Sequence, residues 1–319
     1  MKSKVLLRRV SQYNLEETEA FVRDAVGLLD SPGRSFAAGQ KVLIKPNLLR
    51  GARPERCVTT HPAVVEAVCR VLKDCGAGRI DIGDSPAFGS LPYAARQAGY
   101  APFVKKYGVR FAAFSNPVPL ETEEGVPHLK IAGNLSDYDR VVNLPKFKSH
   151  RQMTLTLGIK NLFGCVIGKR KPVLHCLVDN DKVKFGRMLV DIARRIDPCL
   201  TIVDGIQAMQ GNGPMNGDPY PLGLLSAGRD LTALDRVLAD IVQVPLSRVY
   251  ALEAARQKNF GNYSLEAIEL VGAGDIPSLA VKDFRLADFP IDISFNPLRL
   301  IKSMVRQVYE VGIKEKLAR

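Results

Sequence analysis

A strand, a helix and a second strand follow one another between residues 41 and 83, and this succession limits the possible folds more than any other feature. Lys41-Val-Leu-Ile-Lys45 is a short apolar run that stops at Pro46-Asn47. Residues 62–72 place Val64, Val65, Val68, Val71 and Leu72 at helical spacing, and Gly76-Ala-Gly78 breaks that helix. Arg79-Ile-Asp-Ile-Gly83 then reads as the next strand. A strand–helix–strand unit feeds a parallel sheet. The alternation continues, with helical patterns at 91–99, 185–196 and 232–242 and strand patterns at 109–114, 140–144, 200–203 and 222–226. Residues 126–131 read as an extra strand or hairpin arm, and the N-terminus as a first strand. The expected fold is α/β, with mainly parallel sheets and flanking helices, in two lobes around a cleft. The expected division is an N-terminal α/β lobe over 1–138, a second α/β lobe over 139–296, and a basic amphipathic helix over 297–319.

Size and composition agree with that plan. The chain has 319 residues, 46% of them hydrophobic and 24% charged, enough for one large α/β unit or two lobes. Its apolar runs fall short of the ~20 residues that a membrane helix needs. The N-terminus lacks the long apolar stretch and small-residue cleavage site of a signal peptide. The six cysteines form no Cys-x-x-Cys pair, so neither a ferredoxin-type cluster nor a zinc ribbon is indicated. Cys69 and Cys75 fall in an apolar helical pattern, and a reducing cytoplasm is the expected setting. The net charge of +12 admits anionic metabolites, acidic lipid or nucleic acid as partners. The basic residues are dispersed apart from Lys169-Arg170-Lys171 and the C-terminal segment, and no nucleic-acid-binding signature is present, so specific nucleic-acid binding is not expected.

The chemistry concentrates in Asn143-Leu-Pro-Lys-Phe-Lys-Ser-His150 and the segment 156–168. Lys146, Lys148, His150, Lys160 and Asn161 stand there among Gly158, Gly164 and Gly168. Cations, an imidazole and flexible backbone beside a strand end are the parts of an anion-binding or acid–base site. Lys45, Asn47, Asp84, Ser85 and Asp204 also follow strand patterns, and ligands of open parallel sheets bind outside the carboxyl ends of strands. Asp84 and Asp204 have an alternative reading as helix caps or turn formers. His150 is the acid–base candidate, against a histidine that only hydrogen-bonds backbone. His61 reads as a helix-start residue, His128 as strand surface, and His175 beside Cys176 as a single pair with no second pair to complete a metal site. Gly83-Asp-Ser-Pro-Ala-Phe-Gly89 is a turn able to cap a helix or hold an anion. Gly211-Asn-Gly-Pro-Met-Asn-Gly217, with Asn212, is a loop able to close on a ligand.

These motifs together resemble the family of domain of unknown function 362. The residues that carry the likeness are Lys45-Pro-Asn47, Gly83-Asp-Ser-Pro86, Leu144-Pro-Lys-Phe-Lys-Ser-His150, Gly158-Ile-Lys-Asn-Leu-Phe-Gly164, Gly168-Lys-Arg-Lys171 with His175, and the run from Asp204 to Pro214. Many members of that family carry an added ferredoxin-type module, whose cysteine pattern this chain lacks. Direct cluster binding therefore does not carry over from the resemblance, which leaves room for a separate ferredoxin-type redox partner. A looser similarity is to lactate racemase, in which a histidine precedes a glycine-rich segment whose lysine carries a nickel pincer cofactor. That similarity implies a two-lobed protein with His150 and Lys160 facing one another across the cleft. Here Ile159 stands where the racemase pattern has a small residue.

The resulting expectation is an enzyme of the isomerase, lyase or oxidoreductase type that acts on a small anionic metabolite or cofactor. His150 is its expected general acid/base. Lys146, Lys148 and Lys160 neutralise charge, with Lys160 also a candidate for covalent attachment. Lys45, Asn47, Asp84, Ser85, Asn161, Asp204 and Asn212 orient the ligand. The residues name neither metal nor cofactor. The competing expectation is a non-catalytic accessory or electron-transfer partner that uses Lys169-Arg170-Lys171 and the helix over 297–319 against a protein or an acidic membrane surface.

Overall fold

The computed structural model describes residues 2–28, 36–123, 126, 129–167, 174, 178 and 181–287. Its strands, in chain order, are β1 (Ser3–Arg9), β2 (Lys41–Pro46), β3 (Arg79–Gly83), β4 (Arg110–Ala112), β5 (Pro117–Pro119), β6 (Lys130–Ala132), β7 (Arg140–Leu144), β8 (Lys146–His150), β9 (Thr154–Thr156), β10 (Leu200–Gln210), β11 (Asp218–Tyr220), β12 (Leu224–Gly228) and β13 (Ile268–Gly272). One sheet runs β13-β1-β12-β10-β7-β2-β3-β4, with β8, β9 and β11 attached beside β10. Along that path only β12 runs against its neighbours. The fold is thus α/β with a mainly parallel central sheet and flanking helices. The expected boundary at 138/139 falls just before β7, a strand paired with β2 on one side and β10 on the other.

The helices form where sequence and caps agree. Pro62–Asp74 starts on a proline, is capped by the His61 imidazole accepting from the Ala63 N–H, and ends before Gly76 at positive φ. It buries Val64, Val65, Val68, Val71 and Leu72 against Val42, Ile44, Ile80 and Ile82 of the sheet. Helix Leu15–Leu28 joins the same core through Phe21, Val22 and Ala25. On the opposite face, helix Leu231–Ile241 is capped by Asp230, and helix Lys182–Ile196 by Asp181. Asp197 in the left-handed region and Pro198 stop the latter.

Several expected elements change in the structure. The strand expected at 200–203 continues to Gln210, so Asp204 is mid-strand and is neither a strand end nor a cap. The cause is Pro145, which cannot donate to a ladder and ends β7. Its carbonyl accepts from the Asp204 N–H, and β10 then exchanges β7 for β8, pairing Asp204 with Lys146 and Met209 with Lys148. The strand expected at 222–226 lies at Leu224–Gly228. The arm expected at 126–131 is β6, paired with β5 in a separate two-stranded sheet. Lys146–His150 is itself a strand, hairpinned with β9. Helix Leu91–Gln97 is capped by Ser90, so the Gly83–Gly89 turn is not its cap. No helix among the described residues is long and apolar enough to cross a membrane. Gly168, Lys169, Arg170, Lys171, His128, His175 and the segment 297–319 lie outside the described residues.

Candidate functional site

The strand order fixes where a site can form. From β2 the chain adds β3 and then β4 on one side, while β7 and then β10 lie on the other. The order therefore reverses between β2 and β7, and a crevice opens beyond the carboxyl ends of strands at such a switch point. Lys45, Asn47, Asn143, Lys146 and Lys148 stand at this end of the sheet.

Two buried ion pairs frame it. Lys45 Nζ lies 3.0 Å from Asp84 Oδ1, and it also donates to the Pro46 carbonyl at 2.6 Å. Asp84 accepts from the backbone N–H groups of Leu48 and Ser85, each at 2.7 Å, and so closes the loops after β2 and β3 together. Gly164 packs against this pair; a Cβ there would overlap Asp84 Oδ1 and Lys45 Nζ. In the second pair Lys146 Nζ lies 2.9 Å from Asp204 Oδ2. The Tyr13 hydroxyl joins both groups, accepting from Lys146 at 2.6 Å and donating to Asp204 at 2.8 Å. The His61 backbone N–H donates to Asp204 Oδ2 at 2.8 Å, and the His61 ring stacks on Tyr13 with centroids 3.4 Å apart. Burial and the Asp204 charge push the Tyr13 hydroxyl far up, so it stays protonated. Burial, with Lys146 adding to it, lowers His61 to about 4, so its imidazole is neutral at pH 7.

An amide chain crosses the switch point. Asn47 Nδ2 donates to Asn161 Oδ1 at 2.8 Å, and Asn161 Nδ2 donates to Asn143 Oδ1 at 2.8 Å. Asn143 Nδ2 donates in turn to the Gly158 carbonyl at 3.1 Å. Asn161 and Lys160 ride on the short helix Gly158–Asn161, whose first two N–H groups, of Gly158 and Ile159, donate to the Asp235 carboxylate at 2.7 and 3.0 Å. Burial lifts Asp235 to about 7, against the pull of those two N–H groups.

Lys148 differs from Lys45 and Lys146. Its Nζ donates to Asn47 Oδ1 at 2.6 Å and to the Val58 carbonyl at 2.8 Å, both neutral. Among the described residues no carboxylate lies within ion-pair distance of it. Burial, reinforced by the charges of Lys146, Lys160 and Lys45 and opposed by Asp84, lowers it to about 7. Lys146, Lys160 and Lys45 thus all act on Lys148, while Lys45 and Lys146 are themselves ion-paired, with Asp84 and Asp204.

The remaining expected residues lie around this cluster. Alternation places His150 on the Lys146 and Lys148 face of β8, where its Nδ1 accepts from the Gln152 and Met153 N–H groups at 3.1 and 3.2 Å. Lys160 is half-buried with Nζ 4.7 Å from the Phe163 ring centroid. Ser85 is half-buried and Asn212 exposed. The Asn212 loop is tied to β8 by Ser149 Oγ donating to the Gly211 carbonyl and the Arg151 N–H to the Gly213 carbonyl. Sequence reasoning missed Tyr13, Asn143, Asp235 and Cys57. Asn143 and Asp235 were findable as lone polar residues inside apolar patterns, whereas nothing local marks Tyr13. Cys57, buried beside Lys146, Asp204 and Lys148, has its thiol pushed up by burial. Among the described residues no group of three or more His, Cys, Asp or Glu side chains is gathered as a metal site would need. A cavity of about 350 Å³ lined by Arg140, Arg195, Asp197 and Cys199 sits at the opposite, amino-terminal ends of β7 and β10, away from the lysines.

Comparison with known proteins adds three findings. The model of the family described as domain of unknown function (DUF362) matches residues 42–240. A thylakoid-associated protein of Synechocystis sp. is 38% identical over 318 residues, covering 99% of this chain and 98% of that one. Two solved structures are similar in fold. A Thermotoga maritima protein has 13% identity and a TM-score of 0.44, over 78% of this chain and 60% of that one. The lactate racemase apoprotein of Thermoanaerobacterium thermosaccharolyticum has 14% identity and a TM-score of 0.43, over 72% and 55%. The matched part is thus under two thirds of the length of either structure.

Proposed function

We propose that this chain, which belongs to the DUF362 family, binds a small anionic metabolite or cofactor at the lysine-lined end of its sheet and acts on it by acid–base chemistry. The observation that carries the reading is charge imbalance. Lys148 is fully buried against neutral oxygens, and the charges of Lys146, Lys160 and Lys45 act on it against Asp84. A carboxylate or phosphate from outside supplies the missing negative charge and recovers part of the desolvation cost. In this reading Lys146, Lys148 and Lys160 neutralise the ligand, and His150 exchanges its proton. Lys45, Asn47, Asp84, Ser85, Asn161, Asp204 and Asn212 orient it. Lys160, the most accessible of the four amines, is the point for covalent carriage. Redox chemistry in the same site would draw on a separate ferredoxin-type partner.

Titration calorimetry with inorganic phosphate, succinate and malonate at constant ionic strength tests the reading. At least one anion is expected to bind in preference to chloride, and Lys160→Ala to weaken it about tenfold, the effect of losing one charge-assisted contact. Indifference to every anion would refute it.

A second reading, association with an acidic membrane surface, is favoured by the thylakoid-associated relative. Lys169-Arg170-Lys171 and the segment 297–319 would carry it. Sedimentation with phosphatidylglycerol vesicles, compared between the full chain and one ending at residue 296, tests it; equal sedimentation of the two would remove the segment's role.

A further inference from the structure

We propose that Lys148 is an imine-forming amine and that the anion this site takes is a small oxo acid. Its carbonyl carbon would meet Nζ while its acidic group lies against the neighbouring lysines. The proposal rests on the anion-binding reading above and names the substrate class.

The three fully buried lysines are not equivalent. Lys45 and Lys146 each face a carboxylate, at 3.0 and 2.9 Å. Lys148 faces an amide oxygen and a peptide oxygen, acceptors that serve a neutral amine as well as an ammonium. Three cations act on it and raise the cost of its own charge. A site that used Lys148 only as a counter-ion would gain nothing from this arrangement. A site that needs a nucleophilic amine at neutral pH requires it, because only the unprotonated form has a lone pair. The lowering to about 7 agrees with that geometry. Relative to an ordinary lysine, the free-amine fraction at pH 7 is larger by on the order of 10³.

Two further groups fit the chemistry. In the β8–β9 hairpin Lys148 is directly opposite Thr156, so the two side chains share a face. Thr156 Oγ1 is buried and makes no hydrogen bond among the described residues. A buried hydroxyl left unpaired costs free energy unless something else meets it. The hydroxyl of a carbinolamine formed on Nζ would be such a partner. Asn47, the acceptor for Nζ, is itself half-buried.

The step balances without an oxidant or reductant. The Nζ lone pair adds to the carbonyl carbon, the C=O π bond opens, and one Nζ proton passes to the oxygen to give the carbinolamine. The C–O bond then breaks, and that hydroxyl leaves with the second Nζ proton as one water, forming the C=N bond.

The test is reductive trapping of the full-length protein at pH 7 with glyoxylate, pyruvate or 2-oxoglutarate and sodium cyanoborohydride. Intact mass and peptide mapping read the product, and calorimetry with succinate runs in parallel. The expected result is one saturating adduct, mapped to Lys148, formed about tenfold or more faster than on any other lysine and slowed by succinate. Peptide mapping on the unmodified sequence decides the site, so the proposal does not depend on Lys148→Arg folding; where that variant folds, it loses the adduct. Adducts spread over exposed lysines, with succinate still binding, overturn the imine proposal and leave the anion reading standing. Spread adducts with no succinate binding overturn both.

Discussion

Replacing Asp204 by Asn removes one negative charge from the interior while keeping shape. Asp204 has no solvent exposure, and it takes three donors: Lys146 Nζ, the Tyr13 hydroxyl and the His61 N–H. An asparagine offers one acceptor oxygen and turns an NH₂ toward either the Lys146 ammonium or the Tyr13 hydroxyl. Lys146 is then a buried cation without a counter-charge, which costs about 3–5 kcal/mol. In urea unfolding followed by far-UV circular dichroism at pH 7, that loss moves the midpoint by about 1 M or more at unchanged slope. Lys146→Met alone leaves the Asp204 carboxylate buried and costs a similar amount. The two together remove both charges, so the double variant is expected to lose less than the sum of the singles by on the order of 2 kcal/mol. A single Asp204→Asn variant within about 1 kcal/mol of wild type would refute the reasoning, as would strictly additive losses.

Lys148 and Asp235 give opposite pH dependences. Lys148 is depressed to about 7, so the stability linked to its free amine is present above its ordinary pKa near 10.5 and is lost as pH falls toward 7. Asp235 is raised to about 7, so its contribution is present below its ordinary value near 3.8 and is lost as pH rises through 7. Urea midpoints are expected to rise from pH 7 to 10, and Lys148→Met flattens that rise; below pH 6.5 the lowering of His61 to about 4 makes stability grow with pH and offsets Asp235, so Asp235→Asn is expected to expose a rise from pH 4 to 6.5, and either variant leaving its limb unchanged contradicts the assignment. Gly164→Ala drives a methyl into the Lys45–Asp84 pair and is expected to cost about 1–3 kcal/mol in the same assay, with a wild-type midpoint counting against the packing described.

What could be read from the sequence divides along physical lines. Elements whose signal is local were legible: the βαβ unit over 41–83, the helix begun by His61-Pro62, and the capped helix that ends at Asp197-Pro198. The lysines of the site, with Asn47 and Asn161, were legible because polar side chains beside apolar strands are unusual there. The exchange of β7 for β8 along β10 was not, because it depends on which strand lies next to Asp204 beyond Pro145, a contact 59 residues away. Nor could residue types alone separate Lys148 from Lys146. They sit two apart on one face of one strand, and their difference lies wholly in whether Asp204 or Asn47 is across from them. His150 was read as acid–base from its residue type; the structure adds that its Nδ1 accepts from two backbone N–H groups.

Tyr13 shows how far the site extends beyond its own motifs. The DUF362 match covers residues 42–240, which includes both ion pairs, the asparagine chain and Asp235. It does not include β1 or the segment that follows it. Yet β1 fills the sheet between β12 and β13, and Tyr13, just after it, links Lys146 to Asp204 and stacks on His61. The first strand therefore does two jobs at once. It supplies the sheet with an interior strand one place from its edge, and it delivers a phenol that has no local sequence signal to the end where the lysines gather. The 38%-identical relative aligns over 99% of this chain, so the likeness extends through β1 and Tyr13 as well as the motif-rich middle. The buried lysine cluster is accordingly built from a longer part of the chain than the stretch that the family model matches.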